Sequence, residues 1–437
     1  MRRRLSYLGA AAVLAAAALL FGGTFRDGSP AAAPAGAAAS ESTPFVGAAA
    51  FGRTTTRRVE QLQAKLQANP DDVRSLAELG LAYEQRARET GDPSYYSKAG
   101  GVLRRALTLA PHDLVATSGL ASLALSRHRF REALGIGRTA HALGPQVAGP
   151  YALIGDALIE LGRYQQAFRS FDTLAALKPG LTAYARVSYG RELLGNMPGA
   201  IQAMRMAAGA ATSSAEPTAW THWQLGKLYW ATGRVGTAAH EYRAALAAFP
   251  GYVYALDALA QVEAARGRST EAIVLEQRAV DTIPLPQFVS TLGDLYSVTG
   301  RPRLAGKQYG LMDVIRRLLA SNGVKTDLET AVFQVDHGIR PGQTLALARL
   351  AQRERPSIDG NDILAWALER NGRCGEALHY SQLALRLGTH DALKFFHRGM
   401  IERCLHRADA RAWFGRALRL NPHFSLLWAP VAREALR

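Results

Sequence analysis

Cysteine is nearly missing from this chain, with two among 437 residues, so a small disulfide-dense scaffold is excluded and at most one internal bridge can form. Acidic residues are short as well: 36 Asp and Glu face 52 Lys and Arg, for a net charge of +16. That excess favours anionic partners in general, but it is scattered, and no block interleaves basic and aromatic residues as a nucleic-acid surface would. No nucleic-acid partner is expected. Apolar residues at 48% and charged residues at 20% are ordinary globular usage and argue against a polytopic membrane protein. Also missing are the GxxxxGK[ST] phosphate loop, the HExxH zinc motif and the GxSxG nucleophile elbow. Asp336 and His337 are neighbours on one helix and point in different directions, which makes a poor acid/base pair. The expectation is a protein without catalytic residues, metal ligands or cofactor.

What is present begins at the amino terminus. Arg2, Arg3 and Arg4 precede an uncharged stretch from Leu5 to Phe25, the pattern of an export signal or a single membrane span over residues 1–26. The basic cluster would stay in the cytoplasm, placing the rest of the chain outside it. No Cys follows the stretch, so a lipoprotein anchor is excluded. The small-x-small sites Ala31 to Ala33 and Ala37 to Ala39 lie well beyond the apolar run, which favours an uncleaved anchor over a cleaved signal. Residues 27–56, dense in Ala, Gly, Pro, Ser and Thr, read as a flexible tether.

From about Asp71 onward the chain repeats itself. Pro111, Pro145 and Pro179 are 34 residues apart, as are Pro250 and Pro284, and Pro356 and Pro422 fall two periods apart. In phase with them run Gly162, Gly195, Gly233, Gly267, Gly300 and Gly372, each followed five residues later by an alanine: Ala167, Ala200, Ala238, Ala272, Ala305 and Ala377. Small residues such as Gly226 and Ala238 let two antiparallel helices approach, with Tyr229 and Tyr242 beside them. Gly233 turns the chain, and Pro250 stops the second helix. The period and residue types resemble the tetratricopeptide repeat, most closely over Ala219 to Gly251. The resemblance implies an all-α, right-handed superhelical solenoid of about ten helix pairs. Seven are expected in 57–323 and three in 324–437, followed by a capping helix near Ser425 to Arg437. Extra residues at Glu89 to Tyr96, Gly209 to Thr218 and Ile315 to Val324, and a poorly matching copy at Asp327 to Pro356, would bend or divide the array.

In proteins of that family the first helix of each pair lines the concave face. The inward register falls on Trp220, Trp223, Lys227 and Trp230 in the best copy, on Tyr189 in the copy before it, and on Tyr254, Asp257 and Gln261 in the one after. Rigid aromatics are common anchors at binding surfaces, so these eight residues form a candidate ligand groove. The competing reading makes the tryptophans core residues packed against 209–218. The family's carboxylate clamp is not expected, because Tyr, Trp and Asp stand where its Lys and Asn would be. Asp359, Asp362 and Glu369 fall on the same register in the ninth copy and read as solvated charge. Cys374 starts one helix and Cys404 ends the next, each about fifteen residues from the turn between them, so the two cysteines are expected to form a disulfide. These readings converge on a non-catalytic, extracytoplasmic scaffold that holds a peptide or protein segment in its concave groove and meets the membrane through residues 1–26. The alternative is an accessory subunit docking through its convex face.

Overall fold

The computed structural model describes residues 48–211 and 215–437. The expected signal or anchor at 1–26 and most of the expected tether lie outside the described residues. Among the described residues, no helix is long and apolar enough to cross a membrane.

The first helix, α1 (Ala48–Ala68), corrects one expectation, since residues 48–56 are helical and not tether. Further along α1, Val59 and Leu62 are buried with Leu76 and Leu79 of the next helix, and Gln63 Nε2 donates to Tyr83 Oη at 2.9 Å. Ten helix pairs follow. The first five are α2 and α3 (Val73–Thr90, Ser94–Leu109), α4 and α5 (Leu114–Ser126, Phe130–Leu143), α6 and α7 (Ala148–Glu160, Tyr164–Leu177), α8 and α9 (Leu181–Leu193, Met197–Gly209), and α10 and α11 (Ala215–Ala231, Val235–Ala248). The next five are α12 and α13 (Val253–Ala265, Ser269–Thr282), α14 and α15 (Pro286–Val298, Pro302–Ser321), α16 and α17 (Asp327–Asp336, Pro341–Glu354), α18 and α19 (Ile358–Glu369, Cys374–Ala384), and α20 and α21 (Ala392–Cys404, Ala410–Leu420). A last helix, α22 (Trp428–Leu436), caps the stack with Trp428 fully buried. The poorly matching copy is thus a helix pair like the others.

The small residues explain how closely the helices approach. A Cβ on Gly226 would lie 2.3 Å from the Tyr242 ring, and one on Gly155, Gly293 or Gly399 would strike Phe171, Tyr309 or Phe414 in the same way. An aromatic of the second helix therefore sits directly on a glycine of the first. Each pair turns on a left-handed residue, Gly91, His128, Gly162, Gly195, Gly233, Gly267, Gly300, Gly338, Gly372 or His406, and the eighth turn adds a second, Arg340. Histidine is among the few non-glycine residues that enter this region readily, which explains how two of the ten turns do without glycine.

The stack closes on itself. Every intra-pair turn from the first to the fifth meets the loop six pairs further on. Gly91 abuts Ile283, Gly162 abuts Pro356, Gly195 abuts Gly388 and Gly233 abuts Leu420. In the second pair, Lys325 N donates to Arg127 O at 3.0 Å and Arg129 Nε donates to Gly323 O at 3.2 Å. The seam continues with Ile358 N to Tyr164 Oη at 2.6 Å, Thr389 Oγ1 to Leu193 O, and Asn421 Nδ2 to Trp230 O at 2.9 Å. Arg355 is its buried bolt. Its guanidinium lies 2.8 Å from Glu160 across the seam and 2.6 Å from Glu329 beside it, and it stacks on Phe130 at 5.0 Å. Burial works against its charge, but the two carboxylates outweigh burial and keep it protonated.

One joint in the stack differs. Helix α15 is twenty residues long where α13 is fourteen, and it reaches the next pair through Tyr309 and Met312. Its last turns diverge, leaving a cleft of about 400 Å³ lined by Ala320, Val324, Leu347, Arg129, Arg316 and Lys325.

Candidate binding groove

The structure gathers part of the expected groove and removes part of it. Trp220 is 2% exposed and Trp223 6%, and both belong to the core between α8 and α12. Trp220 is a core residue, its face of α10 covered by the neighbouring helices of the stack. Trp230 is half-buried at the end of α10, beside the seam, where its carbonyl accepts from Asn421. Tyr189, Lys227, Tyr254, Asp257 and Gln261 are half-buried on first helices.

Around Trp223 these residues form a connected patch. Trp223 and Tyr254 have ring centroids 5.2 Å apart, Tyr252 and Tyr254 5.4 Å, and Tyr254 and Phe288 5.6 Å. Lys227 Nζ lies 4.8 Å over the Trp223 ring, a cation–π contact of about 0.5–2 kcal/mol. Burial lowers the Lys227 pKa, while Glu192 opposes that. Tyr252, missed by the register because it precedes the helix, supplies the third ring. The patch lies close to the first helix pair. Glu216 accepts a hydrogen bond from Gln85, and Tyr254 is within electrostatic reach of Tyr96 and Arg88. Tyr189 lies further round, close enough to Asp359 of the second superhelical turn to be influenced by its charge.

Asp257 adds a different chemistry. It accepts from Gln261 at 3.0 Å and neighbours Glu276, which is fully buried. Burial pushes the Asp257 pKa up to about 6 and raises Glu276 well above the carboxylate range. Asp294, also fully buried, rises to about 6 by burial while His337 and Tyr309 oppose the shift. Burial inside the stack thus favours the neutral form of all three acids. Among the described residues, no group of His, Cys, Asp and Glu is arranged to hold a metal ion.

The ninth pair departs from expectation. Asp359 and Asp362 are not solvated: Lys394 Nζ lies 2.7 Å from Asp359 and His397 Nδ1 lies 3.0 Å from Asp362, with all four groups largely buried. The next pair supplies the cations, which the spacing within one copy could not reveal. Asp336 accepts from both Trp366 and Trp428 indoles at 2.7 and 3.1 Å, whereas His337 turns to Asp294 at 3.2 Å. The two therefore act apart. Cys374 and Cys404 are joined as a disulfide, with Cα atoms 6.1 Å apart.

A seam-closed superhelix of helix pairs defines the class: a helical-repeat solenoid. Residues 148–180, comprising α6 and α7, match the sequence model of the tetratricopeptide repeat. The other nine pairs repeat the helix-pair architecture of that matched segment. No curated protein sequence matches it. Among solved structures, the APC/C hetero-tetramer Cut9–Hcn1 is similar at 18% identity and TM-score 0.46, over 72% of this chain and 59% of that one. The human IFIT1 dimer with PPP-AAAA is similar at 15% identity and TM-score 0.49, over 76% of this chain and 77% of that one. YrrB, described as a TPR protein with an unusual peptide-binding site, is similar at 17% identity and TM-score 0.29, over 43% of this chain and 94% of that one. The chain spans 59% of the length of the first of these.

Proposed function

We propose that this protein is a non-catalytic interaction scaffold that holds an extended protein or peptide segment against the inner face of α10 and α12. The reading is supported by one observation above others: the half-buried patch of Tyr254 and Lys227 built on Trp223 and Tyr252, aromatic and cationic together. Such a patch offers stacking surface with little ordering cost and one charge for a carboxylate. We further propose that the scaffold works outside the cytoplasm, held by or released from residues 1–26. The charge pattern of that stretch and the single disulfide support this location.

The test is affinity capture from gently solubilised envelopes with wild type and a Lys227→Ala, Tyr254→Ala, Gln261→Ala variant. Trp223 is left intact because its removal would open the core. Partner loss with unchanged circular dichroism is the expected result. Undiminished capture would remove the groove from the function and leave docking through the convex face, a reading that the exposed side of α15 favours.

A further inference from the structure

The second helices form the outside of the superhelix, and in the pairs before α15 their outward register is polar or small apart from one exposed apolar residue, Met206 of α9, at 46%. On α13 it carries Glu271, Arg278 and Asp281, and on α11 Thr237, Ala244 and Ala247. The same register on α15 carries Leu304, Leu311, Val314 and Leu318, exposed at 37, 41, 51 and 52%. Steps of seven, three and four residues put them in one stripe along a helix. Large apolar side chains held in water along a twenty-residue helix, about 30 Å, mark a contact surface.

The charges beside the stripe indicate what covers it. Lys307 lies within the stripe, and Arg303 and Arg317 flank it, all three exposed. The one acid of the helix, Asp313, lies on the far side and pairs with Arg316 at 3.3 Å. The cleft beside α15 also opens away from the stripe, toward Arg316 and Ala320. The stripe residues therefore lie outside that cleft. A protein laid on it would bury Lys307 and would need an acid placed to match. A bilayer accepts this arrangement directly, because apolar side chains enter the interface while Lys and Arg stems extend back to the headgroups.

We propose that the outer face of α15 is a membrane-contact surface, lying in the plane of an anionic bilayer with Leu304, Leu311, Val314 and Leu318 among the acyl chains. This surface is separate from the amino-terminal stretch and from the groove. The experiment places an environment-sensitive nitrobenzoxadiazole label on the full chain at Leu311→Cys, with a control label at Glu271→Cys in the same register of α13. Vesicles of phosphatidylcholine with about a third phosphatidylglycerol are compared with phosphatidylcholine alone. A several-fold rise and blue shift in emission at position 311, confined to anionic vesicles and absent at 271, is expected. Arg303→Glu, Lys307→Glu, Arg317→Glu should abolish it with circular dichroism unchanged. Because the label reports α15 locally, binding of the vesicle through residues 1–26 does not imitate the result. Unchanged emission at 311, an equal response at 271, or a response that survives the charge reversal would each overturn the proposal. So would a response at 311 to an acidic protein but not to vesicles.

Discussion

Glu84 shows what the closed stack does to one side chain. It is 1% exposed on α2, accepts from Ser122 Oγ at 2.7 Å, and burial pushes its pKa from 4.5 up to about 7. Between those values the folded chain holds a proton that the unfolded chain has released. The contribution of Glu84 is therefore fully present below about pH 4.5 and is lost as pH rises through about 7. At roughly 1.4 kcal/mol per unit, the span is at most about 3.5 kcal/mol. Asp257 and Asp294, raised to about 6, act in the same direction. Glu84→Gln keeps the acceptor for Ser122 and removes the titration. Its urea midpoint should match wild type near pH 5 and exceed it near pH 8, and equal midpoints at both would show that Glu84 is ionised in the fold.

At the scale of the element, the turns separate two demands on glycine. Gly267 has φ of 78° and open space where a Cβ would go, whereas Gly162 has φ of 68° and would place its Cβ 2.3 Å from Pro356 O. Gly267→Ala should cost about 1–2 kcal/mol from the left-handed backbone alone. Gly162→Ala should cost distinctly more, because the turn must also back away from the loop before α18. Equal denaturation midpoints for the two variants would mean that the seam adds nothing at that turn. The Cys374–Cys404 disulfide spans 30 residues and ties α19 to α20, a staple typically worth about 2–4 kcal/mol.

At the scale of the molecule, the seam converts a spring into a ring stack. Repeat arrays draw stability from neighbours in sequence, but here turns also meet loops six pairs away, and Arg355 bridges Glu160 over a separation of 195 residues. Arg355→Met would leave Glu160 and Glu329 buried without their cation, a change of about 3–5 kcal/mol. The expected outcome is a larger maximum dimension in small-angle scattering with helical circular dichroism retained, as the second turn lifts from the first. Adding Glu160→Gln and Glu329→Gln should restore part of the loss. An unaltered scattering profile for Arg355→Met would show that the remaining seam hydrogen bonds suffice.

The sequence by itself determined the helix pairs, because each depends on residues within about 34 positions: a glycine under an aromatic, a left-handed turn, a buried alanine. Those signals were legible at Gly226, Gly233 and Ala238, and the cysteine pairing followed from the same local geometry. Tertiary structure decided the rest. Whether Trp220 faces a groove or the core depends on which helices cover it. Whether Asp359 and Asp362 meet water depends on Lys394 and His397 of the next pair. Closure after six pairs is set by small rotations summed over the stack, and no single copy encodes that sum. The apolar stripe of α15 stands out when its outward register is laid beside those of α11 and α13.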